Sequence, residues 1–114
     1  MAINIAINGA AGRMGRCLIQ AVAETDGLQL SAAIDRAESS LIGVDAGELA
    51  GVGKLGVVLS ADLDQATQQS DVIIDFTIPE ATMALLPLCA ENQCRPVIGT
   101  TGFDEAQKQI IQQT

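Results

Sequence analysis

The segment INGAAGRMGR, residues 7–16, constrains the fold most, because it places three evenly spaced glycines directly after an apolar run. That run, Ile3 to Ile7, is short and rich in β-branched residues, which predicts a buried strand. A second apolar run, residues 28–34, predicts another strand. Between them, apolar residues at helical spacing predict a helix that ends at Asp26-Gly27, with an inward stripe of Met14, Cys17, Leu18, Ala21 and Val22.

The rest of the chain continues this alternation. Further strands are predicted at residues 56–59, 71–76 and 96–102, and further helices at 62–69, at 77–92 with a bend at Pro87, and from about Asp104 onwards. Thr77 and Glu80 lie three apart around Pro79, which marks a helix start. Residues 37–56 hold five glycines and predict a long loop. Alternating strands and helices predict a doubly wound parallel α/β sheet, Rossmann-like in type.

The glycines of the first loop each have a predicted task. Gly9 allows a sharp turn off the strand, Gly12 allows close approach of a pyrophosphate, and Gly15 allows the helix to pack closely. Backbone N–H groups at the helix start then point at the phosphates. The spacing is G-x-x-G-x-x-G, whereas the dinucleotide fingerprint is G-x-G-x-x-G. A glycine-rich turn that binds no ligand therefore remains the alternative.

The end of the second predicted strand strengthens the cofactor interpretation. Asp35 stands twenty residues after Gly15, where the fingerprint has a carboxylate for the ribose hydroxyls. Arg36 follows it directly and can pair with the additional phosphate of NADP. The pair predicts a site that accepts both NADH and NADPH. The alternative is a polar strand end followed by a solvated surface cation.

Charge and composition narrow the partners. The net charge of −8 argues against nucleic acid and anionic membranes as partners. Three of the six basic residues, Arg13, Arg16 and Arg36, nevertheless cluster in sequence around the glycine loop and the end of the next predicted strand. This clustering suits a small anionic ligand. No apolar run could cross a membrane and no secretion signal begins the chain, so we expect a cytoplasmic protein.

Cysteine and histidine usage bears on metal chemistry. The chain has no histidine and no C-x-x-C pair, so no metal site is predicted. Cys17 and Cys89 are expected to act as small hydrophobic residues within helices. The segment GVGKLG is rejected as a phosphate-binding P-loop, because Glu48 and Leu55 stand where that motif needs glycine and a hydroxyl residue.

Two further loops follow predicted strands. Asp75-Phe76-Thr77 and Gly99-Thr100-Thr101-Gly102 should lie at the same edge of the sheet as the glycine loop, because ligands bind beyond the carboxyl ends of parallel strands. Their threonines suit contact with a nicotinamide or a carboxylate but are poor proton donors. The alternative is local: Thr77 caps a helix and residues 99–102 form a turn.

Four segments together resemble the 4-hydroxy-tetrahydrodipicolinate (dihydrodipicolinate) reductase family: GAAGRMGR, DAGELAG, DVIIDFTIPEAT and PVIGTTGFDE. The resemblance covers nearly the whole chain and implies hydride transfer from NADH or NADPH to a cyclic dicarboxylate in diaminopimelate and lysine synthesis. It implies that the pyrophosphate is held by Gly9, Ala10, Ala11, Gly12, Arg13 and Met14, the ribose by Asp35 and the NADP phosphate by Arg36. It places Gly99, Thr100 and Thr101 beside the nicotinamide, with Thr101 also touching a substrate carboxylate.

The chain also departs from that family. Ile78 replaces an arginine found in some members, which leaves the preference between the two cofactors open. The family's second domain, which binds substrate and supplies the proton, has no counterpart here, and five predicted strands are one fewer than the full dinucleotide fold. We therefore expect residues 1–114 to be the cofactor domain of a longer homotetrameric reductase, to hold no catalytic residue and to be inactive alone.

Other classes fit less well. A stand-alone module that senses NAD(H) is the main alternative, although such a module should complete its own sheet. A short-chain dehydrogenase needs a tyrosine acid, and the chain has no tyrosine. A methyltransferase leaves Arg36 and the GTTG segment unexplained.

Overall fold

The computed structural model describes residues 2–113, so Met1 and Thr114 of the predicted 1–114 domain lie outside the described residues. The chain alternates strands and helices throughout. In order they are β1 (Ile3–Asn8), α1 (Arg13–Glu24), β2 (Leu28–Ile34), α2 (Ala46–Leu49), β3 (Leu59–Ser60), α3 (Leu63–Gln69), β4 (Val72–Asp75), α4 (Pro79–Asn92), β5 (Arg95–Ile98) and α5 (Glu105–Gln113).

The five strands form one parallel sheet in the order β3-β2-β1-β4-β5. The chain runs outwards from β1 to β3, crosses back over β1, and then runs outwards through β4 to β5. This reversal at β1 is the topological switch point of a doubly wound sheet. The predicted fold class is confirmed.

The alternation of side chains along β1 divides the core into two layers. Ile5 and Ile7 pack on one face with Ile19 of α1 and Ala46 of α2. Ala6 points to the other face, whose buried residues include Ala66 of α3 together with Ile73, Leu85 and Cys89. Because both faces are covered, the central strands β1 and β4 are mostly apolar. No helix within residues 2–113 is long and apolar enough to span a membrane.

The predicted inward stripe of α1 is correct at Val22 and at Leu18, which is half-buried against the core, but it is wrong at Met14, Cys17 and Ala21. The buried residues of the helix are Gly15, Ile19 and Val22, whereas Met14 and Cys17 are exposed. The reason lies at Gly15, where an added Cβ would overlap the backbone of Gly9 and Ala10. Because only a glycine can pack this closely on the loop, α1 must turn Gly15 towards the loop. In this orientation the side chains of Met14 and Cys17 point into solvent.

The other two cysteines are buried at the end of α4 and before β5. Cys89 is 2% exposed, as predicted for a small hydrophobic residue, and Cys94 is 3% exposed. Burial raises the pKa of the Cys89 thiol to about 12 and also raises the pKa of Cys94. Both thiols therefore stay protonated near neutral pH and are poor nucleophiles.

The start of α4 also differs from its prediction. The helix begins at Pro79 with Ile78 as its N-cap residue, and no side chain caps it. Thr77 does not cap the helix, because its hydroxyl donates to the Asp75 carboxylate at 2.9 Å. Proline at the first helical position needs no cap for its missing N–H. The helix continues through Pro87 to Asn92.

The long glycine-rich loop is organised around one carboxylate. Asp45 caps the short helix α2, which sequence patterning did not predict. Its two oxygens accept hydrogen bonds from four backbone N–H groups, those of Gly47, Glu48, Leu55 and Gly56. These bonds hold Leu55 and Gly56 in the loop, so the third strand starts later in the chain than predicted. β3 covers Leu59 and Ser60 rather than the predicted residues 56–59.

These hydrogen bonds also affect the charge state of Asp45. The N–H of Leu55 has the largest effect in holding the pKa of Asp45 below its ordinary value, partial burial opposes it, and the other three N–H groups add to the lowering. Each N–H bond favours the ionised carboxylate. The loop is therefore stabilised by the charged form of Asp45.

Replacing Asp45 tests this organisation. We expect Asp45→Asn to lower the free energy of unfolding at pH 7, because it removes the charge that four N–H groups share. Since the pKa is lower in the folded chain, the stabilisation is complete above the unfolded value of about 3.9 and is lost as the pH falls through the folded value. In urea unfolding series, the difference between wild type and variant should shrink below about pH 4.

Asp62→Asn is the matched control, because Asp62 caps α3 but, within residues 2–113, its carboxylate accepts only the Gln65 N–H. We expect Asp62→Asn to destabilise the chain less than Asp45→Asn at pH 7. Equal free energies of unfolding for the two variants would contradict the proposed role of Asp45.

Candidate cofactor site

A cleft of about 690 Å³ lies at the carboxyl ends of β1, β2 and β4, where the strand order reverses. Such switch points are where open α/β sheets bind ligands. Five of the residues predicted to bind a cofactor line the cleft: Gly9, Ala11, Gly12, Asp35 and Arg36. Its other lining residues are Asn8, Ile34, Ala37, Ser39, Ala61, Leu63, Phe76, Thr77, Ile78 and Ala81.

The glycine loop turns sharply between β1 and α1. Gly9 has a φ of +87°, which disfavours any residue with a side chain, and an added Cβ there would overlap the Phe76 carbonyl. The Gly12 N–H donates to the Gly9 carbonyl at 3.1 Å and closes the turn. Together with the close approach at Gly15, these contacts leave room for backbone only. A side chain at Gly9 or Gly15 would therefore displace the backbone of the loop, whereas a Cβ at Gly12 would make only an ordinary contact.

The N-terminus of α1 begins at the end of this loop. Gly12 is the N-cap, no side chain caps the helix, and its first turn holds no acidic residue. Uncapped N–H groups and the positive end of the helix dipole favour an anion at this position. Arg16 donates from Nε to the Ala11 carbonyl at 3.0 Å and fixes the loop from outside. Arg13 is exposed at the first helical position.

Asp35 connects the end of β2 to the glycine loop. Its Oδ2 accepts the Ala11 N–H at 2.9 Å, and its Oδ1 accepts the Arg36 N–H at 2.8 Å. The carboxylate is half-buried and still faces the cleft. Arg36 is exposed beside it, and among the described residues it forms no ion pair. The Asp35 carboxylate, a hydrogen-bond acceptor, and the unpaired Arg36 guanidinium, a cation, thus lie side by side at this end of the cleft.

Three predicted residues of the loop do not line the cleft: Ala10, Arg13 and Met14. Ala10 is fully buried, and its N–H donates to the Ile34 carbonyl at 3.0 Å, so neither its side chain nor its N–H faces a ligand. Arg13 is exposed and Met14 is 49% exposed on α1. The prediction that these three residues contact a cofactor stays a prediction.

The predicted nicotinamide loop lies beside the cleft rather than in its wall. Thr100 joins it to the cleft, because its Oγ1 accepts the Thr77 N–H at 2.9 Å. Gly99 packs against the Phe76 ring so closely that an added Cβ would overlap it. Thr101 is exposed. Residues 99–101 are therefore held against the Phe76-Thr77 side of the cleft.

A buried cluster below this loop was missed from sequence. Asp75 is fully buried, and its carboxylate accepts hydrogen bonds from Asn8 Nδ2 at 3.0 Å, Thr77 Oγ1 at 2.9 Å, Thr100 Oγ1 at 3.1 Å and Thr82 Oγ1. We call these five residues the Asp75 cluster. The available signal was a polar residue at the end of two apolar strands, Asn8 on β1 and Asp75 on β4.

Part of the cleft wall is apolar, and the sequence did not predict that these apolar residues belong to the cofactor site. Ile78 is 59% exposed although it is a large aliphatic residue, and Leu63, Ala61 and Ala81 line the same cleft. These residues come from two different helices and the segments before them, so no local pattern could group them. Such a wall suits the flat face of a heterocyclic ring.

Metal ligands are not gathered here. Within residues 2–113 no group of three or more histidine, cysteine, aspartate or glutamate side chains could hold a metal ion. The polar groups of the site are instead backbone N–H groups, the Asp35 carboxylate, the Arg36 guanidinium and the neutral side chains of Asn8, Ser39 and Thr77. This set suits an anionic organic ligand.

The sequence and the fold of the chain are similar to those of known proteins. A family model described as dihydrodipicolinate reductase, N-terminus, matches residues 3–114. Among solved structures, a dipicolinate-bound dihydrodipicolinate reductase from Paenisporosarcina sp. TG-14 is 30% identical with a TM-score of 0.73; the match covers 96% of this chain and 42% of that one.

Two other structures extend the comparison. Amine dehydrogenase from Mycobacterium smegmatis is 25% identical with a TM-score of 0.72, over 86% of this chain and 30% of that one. Saccharopine dehydrogenase from Saccharomyces cerevisiae shares the fold, with a TM-score of 0.74 at 15% identity, over 96% of this chain and 24% of that one. The chain thus spans less than half the length of each of these proteins.

Gly9→Ala tests the backbone contacts of the loop, and Gly27→Ala is its matched control. Both glycines have nearly the same φ, +87° and +88°, but only at Gly9 would a Cβ meet other atoms. We expect Gly27→Ala to lower the free energy of unfolding by about 1–2 kcal/mol from backbone strain. Gly9→Ala should cost about 1–3 kcal/mol more because of overlap with Phe76. Equal losses in urea unfolding would contradict the tight contact.

Proposed function

Because the chain belongs to the family of dihydrodipicolinate reductase N-terminal domains, we propose that it holds NADH or NADPH for hydride transfer to a cyclic dicarboxylate. The family and fold are those of the nucleotide-binding domains of NAD(P)-dependent reductases. The observation that carries the proposal is the glycine loop at the switch point, with the uncapped start of α1 beyond it and Asp35 bonded to it.

The residues present fit the cofactor from its adenosine end to its pyrophosphate. The loop from Gly9 to Gly12 and the first N–H groups of α1 hold the pyrophosphate. Asp35 accepts the hydroxyls of the adenosine ribose, because its carboxylate faces the cleft with acceptor capacity beyond the two N–H bonds it already makes. Arg36 pairs with the ribose phosphate of NADPH.

The nicotinamide end lies beside residues 99–101 in this proposal. Bound NADH or NADPH supplies the hydride, and this chain orients the ring that carries it. Gly99 and Thr100 contribute backbone at the ring, since the Thr100 hydroxyl is already bonded to Thr77 and Asp75. Thr101 is exposed and offers its hydroxyl to a substrate carboxylate.

The substrate assignment rests on the family and on the chemistry of one relative. The Paenisporosarcina enzyme is bound to dipicolinate, a cyclic dicarboxylate. We propose that the corresponding substrate here is 4-hydroxy-tetrahydrodipicolinate, in cytoplasmic lysine and diaminopimelate synthesis. The ionisable side chains lining the cleft, Asp35 and Arg36, lie at the proposed adenosine end, so the cleft lining offers no cation at the nicotinamide end for a dicarboxylate. We therefore propose a longer, homotetrameric reductase in which another domain supplies the cations that bind the substrate.

Arg36→Ala tests the recognition of the NADP phosphate. We expect NADPH affinity to fall about tenfold or more, because one charge-assisted phosphate contact is lost, while NADH affinity changes less than about twofold. Titration calorimetry with both cofactors measures the two dissociation constants.

Arg95→Ala is the control for this experiment, because Arg95 is an exposed arginine on β5 that does not line the cleft. It should leave both affinities unchanged. If Arg36→Ala weakens NADH and NADPH equally, the phosphate-pairing role is wrong.

We also propose that the 114-residue chain does not reduce the substrate alone. The ionisable side chains lining the cleft are Asp35 and Arg36, both at the proposed adenosine end, and the side chains that residues 99–101 carry beside the cleft are the threonine hydroxyls of Thr100 and Thr101. Hydride addition therefore lacks a proton donor of suitable pKa. Loss of NADPH absorbance at 340 nm with substrate present should not exceed the enzyme-free rate, and turnover above that rate would overturn the proposal.

A further inference from the structure

The Asp75 cluster ties together three segments that are distant in sequence. Asn8 ends β1, Thr77 lies just before α4, Thr82 lies in the first turn of α4, and Thr100 lies in the loop after β5. All of them bond to one carboxylate that is itself fully buried. These are the segments that form the Phe76-Thr77 side of the cleft and the loop beside it.

Hydrogen-bond capacity fixes the arrangement within the cluster. Each oxygen of Asp75 accepts two donors, Asn8 and Thr77 on Oδ1 and Thr82 and Thr100 on Oδ2. A carboxylate has about four acceptor sites, so its capacity is filled. The Thr100 hydroxyl gives its single proton to Asp75 and accepts the Thr77 N–H. The Thr100 hydroxyl thus bridges Asp75 and Thr77, with the Asp75 backbone carbonyl as a second, more distant acceptor at 3.4 Å.

This arrangement removes Asp75 from direct contact with any ligand. The carboxylate is buried, its acceptor sites are occupied by neutral donors, and it does not line the cleft. Burying an ion without a paired cation is costly, and neutral hydrogen bonds offset that cost only in part. An apolar residue at this strand end would avoid the cost, but it would leave the four polar side chains without their shared acceptor.

We propose that Asp75 is a positioning residue for the nicotinamide end of the cofactor site. By holding Thr77 and Thr100 together, it sets where the backbone of residues 99–101 lies relative to the glycine loop. This inference rests on the proposed function, since the loop positions a nicotinamide only if the chain binds a nicotinamide cofactor. The adenosine end does not depend on the cluster, because Asp35 and Arg36 lie at the end of β2 and share no hydrogen bond with it.

The test compares two ligands that differ only in the nicotinamide ring. NADH reaches both ends of the site, whereas ADP-ribose lacks the ring. Thr82→Val removes one hydroxyl from the cluster at a fully buried position. We expect the dissociation constant of NADH to rise by about fivefold or more, as for loss of one hydrogen bond, and that of ADP-ribose to change less than about twofold.

Thr67→Val is the matched control. Thr67 is equally buried, but its hydroxyl donates to the Leu63 and Asp64 carbonyls of α3. It should leave the ratio of the two dissociation constants unchanged even where it lowers stability. Thr82→Ser keeps the hydroxyl and should restore the wild-type ratio. Thr77→Val, at a half-buried position, gives the same test if Thr82→Val does not fold.

The outcomes separate the inference from the proposed function. If the wild-type chain binds neither ligand, the proposed function fails and the inference with it. If wild type binds both but Thr82→Val weakens them equally, or weakens neither, only the positioning role is overturned. The role is also overturned if wild type binds NADH no more tightly than ADP-ribose, because the loop then holds no nicotinamide. A selective loss of NADH affinity supports it.

Discussion

Backbone contact around Gly9 is the constraint on which the rest of the site depends. The carbonyls of Gly9 and Phe76 and the start of α1 lie so close that a Cβ on Gly9 or Gly15 would overlap them. This closeness brings the N-terminus of α1 to the mouth of the cleft and places the end of β4 beside the glycine loop. The compact loop therefore sets both the helix dipole and the cleft wall that a dinucleotide needs.

Two carboxylates serve this site in opposite ways. Asp35 is bonded to the loop by the Ala11 N–H but remains open to the cleft, so it can accept ligand hydroxyls. Asp75 is closed off by four neutral donors and acts on the structure around it. The difference follows from position, because Asp35 ends β2 at the cleft whereas Asp75 faces the helix layer of α4. A further carboxylate, Asp45, organises a loop outside the cleft by the same kind of hydrogen bonding.

Much of the fold could be predicted from sequence because apolar runs and glycines act locally. The limits of β2 agree with prediction to the residue, and those of β1 and β4 to within a residue at each end. The inward face of α1 could not be predicted, since two stripes one residue apart are nearly equally apolar and contact at Gly15 decides between them. The displacement of β3 follows from Asp45, whose partners Leu55 and Gly56 are ten and eleven residues away.

The sequence alone determined the order of the five strands and of the helices other than α2, the glycine turn, and the acid and arginine after β2, because each is encoded within a few adjacent residues. Tertiary structure decided which side chains share the cleft and which are withdrawn from it. In the folded chain Ile78 lines the cleft and Ala10 is buried in the core. Thr77 donates a hydrogen bond to Asp75 and does not cap the helix. The reason is physical: a hydrogen bond or an overlap between atoms depends on distance in space, and residues 8, 75 and 100 meet only once the sheet has formed.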